Sequence, residues 1–328
     1  MNSDKSILEL TKSPNDYANV PLVSMVIPCY NHAAYVQQSI ASIIAQDYAN
    51  IELIIIDDGS SDESVLRIKE MAEQCRSRFV RFEFRARANK GLSVTLNEAL
   101  RWINGTYFAT LASDDILMPS KTSKLVECLR GEIGIAGAFG SAEVIDSQGA
   151  VIGFSKSNNR TCDFKDVFLH AVIISAPTQL LDVNALKSVG GFIEGMYIED
   201  WSLWLKLTGA GYKLKCIEDT LVRYRQHDSN ISKNVIKMLE CRLLILEKYR
   251  KYPDYEFALS QAYAAAALEY SGITRLKSIA YLIESIRCSP RIIFEKGIIF
   301  IFIKLILPVR IINSLKKTPH WLQSYWNR

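Results

Sequence analysis

The sequence predicts an α/β fold: a mostly parallel sheet flanked by helices, followed by a helical extension. Three observations carry that prediction. Residues 22–27 and 51–56 are near-continuous apolar runs of strand length, as strands buried on both faces require. Each run ends in a polar turn, Pro28-Cys29-Tyr30-Asn31 and Asp57-Asp58-Gly59-Ser60. Between them Val36, Ile40, Ile43 and Ile44 recur at helical spacing. The result is a βαβ unit, and open α/β sheets bind ligands at the carboxyl ends of such strands.

The elements that follow extend the pattern. Ser61-Asp62-Glu63 opens a second helix with N-cap and first-turn acid chemistry. Residues 80–84 read as a third strand, Asn89-Lys90-Gly91 as a turn, and Leu92, Leu96 and Leu100 as one face of a helix. A fourth strand, 106–111, ends in Ala112-Ser113-Asp114-Asp115, and Pro119 suits the first turn of the next helix. Beyond Gly131 the alternation weakens. Short strands are expected at 135–139 and 143–145, a polar loop at 155–160, and helices at 163–174 and 185–189. Glu199-Asp200-Trp201 leads into a helix carrying Leu203, Trp204 and Leu207, which a glycine-containing stretch, 209–211, ends. Short strands at 212–216 and 221–224 follow, and from about residue 236 the texture is helical. Residues 261–286 form a hairpin-like pair that resembles one tetratricopeptide-like unit. A single copy cannot bury its own faces, so it reads as an appendage. The boundaries are a leader at 1–20, an α/β domain at 21–232 and an extension at 233–328.

Composition narrows the class. The chain has 328 residues, 49% of them hydrophobic, enough for one large α/β domain plus an extension. A net charge of +4 is too mild to argue for nucleic acid. Seven scattered cysteines without a C-x-x-C pair point to reduced thiols in the cytoplasm. The first 19 residues are polar, with no apolar signal-peptide core.

The acids carry the chemistry. Asp114 and Asp115, after the fourth strand, could hold a divalent cation, and hard oxygen ligands favour Mg²⁺ or Mn²⁺. Two adjacent aspartates also make an ordinary acidic helix start. Asp58 could accept the N–H of a pyrimidine base while Gly59 lets the backbone turn tightly, although Asp-Gly turns are frequent in any protein. Lys90 could offset diphosphate charge or simply be a solvated turn lysine. Asp200 could act as a general base or cap its helix. His227 could complete a metal shell or donate to a phosphate, and Arg225 offers a planar fork for phosphate.

In this order and spacing, these segments resemble family 2 glycosyltransferases, which have the GT-A fold. The resemblance covers about residues 21–232 and rests on Pro28 to Asn31, Asp57 to Ser60, Asn89 to Gly91 with Asn97, Ser113 to Asp115, Glu199-Asp200 before a Trp-x-x-Trp-Leu helix, and Tyr224-Arg225-Gln226-His227 followed by Ile231-Ser232. It implies a sugar-nucleotide donor held by Pro28, Tyr30, Asn31, Asp58, Gly59 and Ser60, with Lys90, Ser113, Asp114 and Arg225 near its diphosphate. It implies a Mn²⁺ or Mg²⁺ ion on Asp114, Asp115 and His227. Asp114 is the main ligand, because Ala112 stands where the family often has the first acid of Asp-x-Asp. It makes Asp200 the base of an inverting transfer, with Glu199 positioning the acceptor or tuning Asp200. The donor expected is a UDP-sugar and the acceptor a glycan on a lipid carrier, as in bacterial surface polysaccharide assembly.

The carboxyl-terminal tail bears on location. Residues 292–312 are rich in Ile, Phe and Leu, but the clean run 297–303 is far short of the ~20 residues a spanning helix needs. Lys296, Lys304, Arg310, Lys316, Lys317 and Arg328, with Trp321, Tyr325 and Trp326, suit an interfacial helix on an anionic leaflet. A helix packed on the core or on a second copy in a homo-oligomer is the other reading. The expected location is therefore the inner face of the cell membrane, peripherally. The rival functions are a nucleotidyltransferase, which would show a Gly-rich basic loop after the first strand, and a degenerate nucleotide-sugar-binding module, which Ala112 favours and Glu199-Asp200 opposes.

Overall fold

The computed structural model describes residues 20–228, 230 and 233–306. Residues 1–19 of the expected leader, Ile231 and Ser232, and the tail beyond 306 lie outside those bounds.

The first half alternates as its apolar runs require. Strand β1 (Val23–Cys29) leads through α1 (Val36–Ile44) to β2 (Ile51–Asp57), every residue of which is buried. Helices α2 (Ser64–Glu70) and α3 (Ala72–Arg78), strand β3 (Arg81–Ala86), helix α4 (Leu92–Leu100) and strand β4 (Tyr107–Thr110) follow. β3, β2, β1 and β4 lie side by side and parallel. The register pairs Cys29 with Asp57, which brings both polar turns to the same carboxyl edge. Two-residue strand β5 (Ile116–Leu117) and α5 (Lys121–Leu129) complete this half.

The second half contains β6 (Ile135–Ile145), β7 (Val151–Ser155), β8 (Arg160–Cys162), α6 (Phe164–Phe168), β9 (Leu180–Asp182), α7 (Val183–Ser188), α8 (Glu199–Gly209) and β10 (Lys213–Arg225). The sheet runs β3-β2-β1-β4-β9-β6-β10-β5, with β7 on β6 and β8 on β10. It is parallel on one side and mixed on the other, since β9 runs antiparallel to both β4 and β6.

Three local expectations are corrected. The two short strands at 135–139 and 143–145 are one, because Gly140 leaves room for Leu221 of β10 to cross it; a Cβ there would meet the leucine at 2.5 Å. The strands at 212–216 and 221–224 are also one, with the break between them a register shift from Cys216 to Thr220. The helix expected over 163–174 stops at Phe168, and His170 takes a left-handed φ of 47°.

The extension holds α9 (Val235–Glu247), α10 (Tyr255–Ser271), α11 (Arg275–Cys288) and α12 (Lys296–Ile306). One core joins α1, α3 and α5 to one face of the sheet; another joins α4, α6 and α8 to the opposite face and continues into α9 and α10. A smaller cluster, including Leu268, Leu282, Ile292 and Ile301, fastens α11 and α12 to α10. No helix among the described residues is long and apolar enough to cross a membrane.

Candidate active site

The two polar turns at the carboxyl edge are laced together. Asn31, at φ 55°, donates its N–H to Ser60 Oγ at 2.8 Å and accepts from the Ser61 N–H through Oδ1, also at 2.8 Å. Asp57 Oδ1 accepts the N–H groups of Gly59 and Ser60, at 3.2 and 2.9 Å. Gly59 has φ 80°, and a Cβ there would lie 2.6 Å from the Asn89 nitrogen, so only glycine allows this approach. Asp58 is buried and accepts from the N–H of Lys90 at 2.8 Å, the N–H of Gly91 at 2.9 Å, and the Arg87 guanidinium. Arg87 in turn donates to Glu98 at 2.7 Å and to Thr95 at 2.8 Å. Asp58 therefore organises the 87–91 loop. Tyr30 and Lys90 are exposed beside it, and Pro28 is half-buried in β1.

After β4 the two aspartates part company. Asp114 meets two imidazoles: His227 Nε2 lies 2.8 Å from its Oδ2, and His32 Nδ1 lies 3.8 Å from its Oδ1. One ligand atom from each of the three groups falls within 4.8 Å of the others, the spacing of a shared metal ion. Ser113 joins the edge of this cluster, with its Oγ 2.7 Å from His32 Nδ1. Burial lowers the pKa of His32 while the Asp114 charge pulls it the other way; the net shift is downward, towards the neutral imidazole that ligates metals. Tyr35 stacks on His227 at 5.4 Å and fixes its plane.

In this structure Asp115 and Arg225 serve the frame rather than the open face. Asp115 is fully buried; its Oδ1 accepts the Arg225 N–H at 2.8 Å, and burial with the neighbouring Asp114 charge raises its pKa well above the carboxylate range. In the turn before β5 one acid therefore faces the cluster and the other the core. The Arg225 guanidinium is also buried. It donates to the Asp114 carbonyl at 2.8 Å, to the carbonyls of Asp146 and Ser147 at 3.3 Å, and to Gln38 Oε1 at 2.8 Å. That leaves little of its fork for a phosphate.

Glu199 and Asp200 open α8. The cap position is Ile198, with no side-chain cap, so Asp200 is not the helix's N-cap. Its Oδ1 accepts the Trp201 N–H at 2.6 Å. Burial and the adjacent Asp200 push Glu199 up to about 8, and burial raises Asp200 as well. No hydrogen bond among the described residues joins this pair to the Asp114 cluster.

Three site residues escaped the sequence reading. His32 directly follows the Pro28-to-Asn31 turn, a position from which its ring reaches Asp114. Arg87 had no signal beyond lying two residues before Asn89. Arg242, whose charge acts on Asp200, lies in α9 with no motif around it.

Comparisons with known proteins agree with this geometry. The glycosyl transferase family 2 profile matches residues 24–153. An uncharacterized glycosyltransferase of Haemophilus influenzae is 30% identical over 228 residues, covering 65% of this chain and 68% of that one. The Escherichia coli UDP-Glc:alpha-D-GlcNAc-diphosphoundecaprenol beta-1,3-glucosyltransferase WfgD is 28% identical, covering 71% and 88%. Among solved structures, residues 1–349 of Staphylococcus aureus TarS with UDP-GlcNAc superpose with a TM-score of 0.60 at 16% identity, covering 81% and 79%. The Pyrobaculum calidifontis mannosyltransferase PcManGT, with GDP-Man and Mn²⁺, superposes with a TM-score of 0.57 at 13% identity, covering 94% and 84%. These last two share the fold. With the laced β1 and β2 turns, the acid after β4 and these relatives together, the chain belongs to glycosyltransferase family 2 and has the GT-A fold.

Proposed function

We propose that the protein is an inverting, metal-assisted glycosyltransferase that moves a sugar from a UDP-sugar to a hydroxyl of a lipid-linked glycan in polysaccharide synthesis. The observation that carries it is the convergence of His32, Asp114 and His227 at the carboxyl edge of the parallel strands. One oxygen and two imidazole nitrogens fit a borderline cation such as Mn²⁺ better than Mg²⁺. A cation held there would neutralise the charge of the departing diphosphate.

This chain's residues supply the rest. Tyr30, Asn31, Asp58, Gly59 and Ser60 would shape the nucleotide pocket, and exposed Lys90 stands ready for phosphate charge. The acceptor oxygen attacks the anomeric carbon from the face opposite the diphosphate; its C–O bond forms as the bond to the diphosphate breaks, and its proton passes to Asp200. The raised pKa of Asp200 makes it a stronger base than an exposed aspartate. The lipid-linked acceptor draws support from the name of WfgD.

A peripheral membrane position fits α11 and α12. Leu276, Ile279 and Ile283 line one exposed face of α11, and Ile299, Phe302, Ile303 and Ile306 are exposed on α12. Removing residues 292–328 should release the protein from anionic vesicles, and unchanged flotation would defeat a membrane role for α12.

The central test is thermal stabilisation by UDP-, GDP-, CMP- and dTDP-sugars, each with Mn²⁺ and with EDTA. Mn²⁺-dependent stabilisation by a UDP-sugar is expected. Stabilisation by none of them would favour a degenerate module.

A further inference from the structure

A second concavity lies away from the Asp114 cluster, where α8 meets the extension. It holds about 880 Å³ of empty space, its open mouth included. Its walls come from both parts of the chain: His170 and Trp201 on the catalytic side, Arg242, Gln261 and Glu269 on α9 and α10. Trp201 directly follows the proposed base, and the His170 ring stacks on it at 4.6 Å.

Two polar groups in this cavity lack partners. Arg242 is half-buried and makes no hydrogen bond or ion pair with any described residue; Glu269, Asp200 and Cys241 act on it through charge alone. Gln261 Oε1 is shielded from solvent and accepts no hydrogen bond. A guanidinium and an amide oxygen left in this state each lose solvation without return, so the pair is an expense unless something else binds there. Beside them α10 presents Ala258, Ala262, Ala264 and Ala265, which leave shallow apolar room.

We propose that this cavity binds an acetamido sugar of the acceptor glycan, next to the residue that receives the proton of the reacting hydroxyl. The acetamido group has three faces, and each finds its complement. Its N–H donates to Gln261 Oε1, its carbonyl accepts from Arg242, and its methyl enters the alanine-lined wall. The ring's hydroxyls are left for Glu269. A phosphate would meet Glu269 and Glu295 as well as Arg242, so the mixed charge favours a neutral ligand.

The proposal rests on the glycosyltransferase reading, and its test separates the two. Methyl glycosides of GlcNAc, GalNAc, glucose and galactose are titrated against the full chain by saturation-transfer NMR, without donor. The acetamido sugars should bind about tenfold tighter than their hydroxyl counterparts, the worth of one well-placed hydrogen bond. Arg242→Met and Gln261→Met should erase that preference, and Ala265→Phe should abolish binding by filling the cavity. UDP-sugar stabilisation of each variant must persist, which verifies folding and reports on the donor site independently. Equal binding of all four glycosides, binding by none, or loss of binding through Asp58→Asn instead of Ala265→Phe would overturn the proposal. Absence of donor stabilisation with retained acetamido selectivity would sink the donor reading and leave the cavity a sugar site.

Discussion

Asp114-Asp115 and Glu199-Asp200 are both adjacent acids beside the start of a short element, and the fold uses them differently. The first pair is divided. Asp114 turns to two imidazoles, while Asp115 turns inward to hold the Arg225 backbone. The second pair stays together, with no salt-bridge partner for either carboxylate among the described residues, and burial raises both pKa values. Division leaves one carboxylate facing two imidazoles, placed to hold a cation. Joint burial gives a pair that holds a proton readily. The same residue type is put to different chemistry by whether imidazoles or the protein interior surround it.

The largest test of that contrast is Asp200→Asn. It should lower transfer about 10²- to 10⁴-fold, the range for a positioned base, with UDP-sugar stabilisation intact; loss of donor binding would place Asp200 on the donor side instead. His32→Ala comes next. It should raise the Mn²⁺ concentration needed for half-maximal donor stabilisation at least about tenfold, as removal of a metal-shell group does. No change in Mn²⁺ response would leave His32 as a neighbour only.

Asp115→Ala should act on stability rather than on the metal. Leaving the Arg225 N–H unpaired in the core should cost about 1–3 kcal/mol in urea denaturation. A collapse of Mn²⁺ affinity without destabilisation would show that both acids face the ion. The last test is at Glu199, where the readout is the pH dependence of stability. Its folded pKa of about 8 lies above the ordinary 4.5, so its contribution is fully present below pH 4.5 and is lost as the pH rises through 8. Glu199→Gln keeps the group neutral, and the variant should gain stability relative to the parent between pH 5 and pH 9. Parallel stability curves across that range would contradict the burial.

The parallel half of the fold was readable because its strands are buried on both faces, and unbroken apolar runs such as 51–56 have few other uses. The later strands were harder. β6 is interrupted in sequence by Gly140 and β10 by Glu218 and Asp219, yet neighbouring strands carry both across the gap. Periodicity could not foresee the early stop of α6, which rests on one left-handed residue. In the site, residue types were legible and directions were not. Nothing in Asp114-Asp115 says which carboxylate faces out. Nothing in Tyr224-Arg225 says that four acceptors claim the guanidinium. His32 and Arg242 become visible only when distant segments meet. The two non-glycine residues with positive φ among the described ones, Asn31 and His170, fall one at each candidate binding region.

One strand ties these regions into a single unit of inheritance. α8 ends at Gly209, Gly211 turns the chain at φ 94°, and the 13 residues of β10 run on to Arg225, two positions before His227. The proposed base and a proposed metal ligand thus sit at opposite ends of one helix–strand hairpin. Recombination within that hairpin would join a base from one parent to a cation site from another, at a separation neither parent selected. Chimeras that exchange acceptor preference should therefore be cut before Glu199 or after His227, with the whole segment moved as one piece.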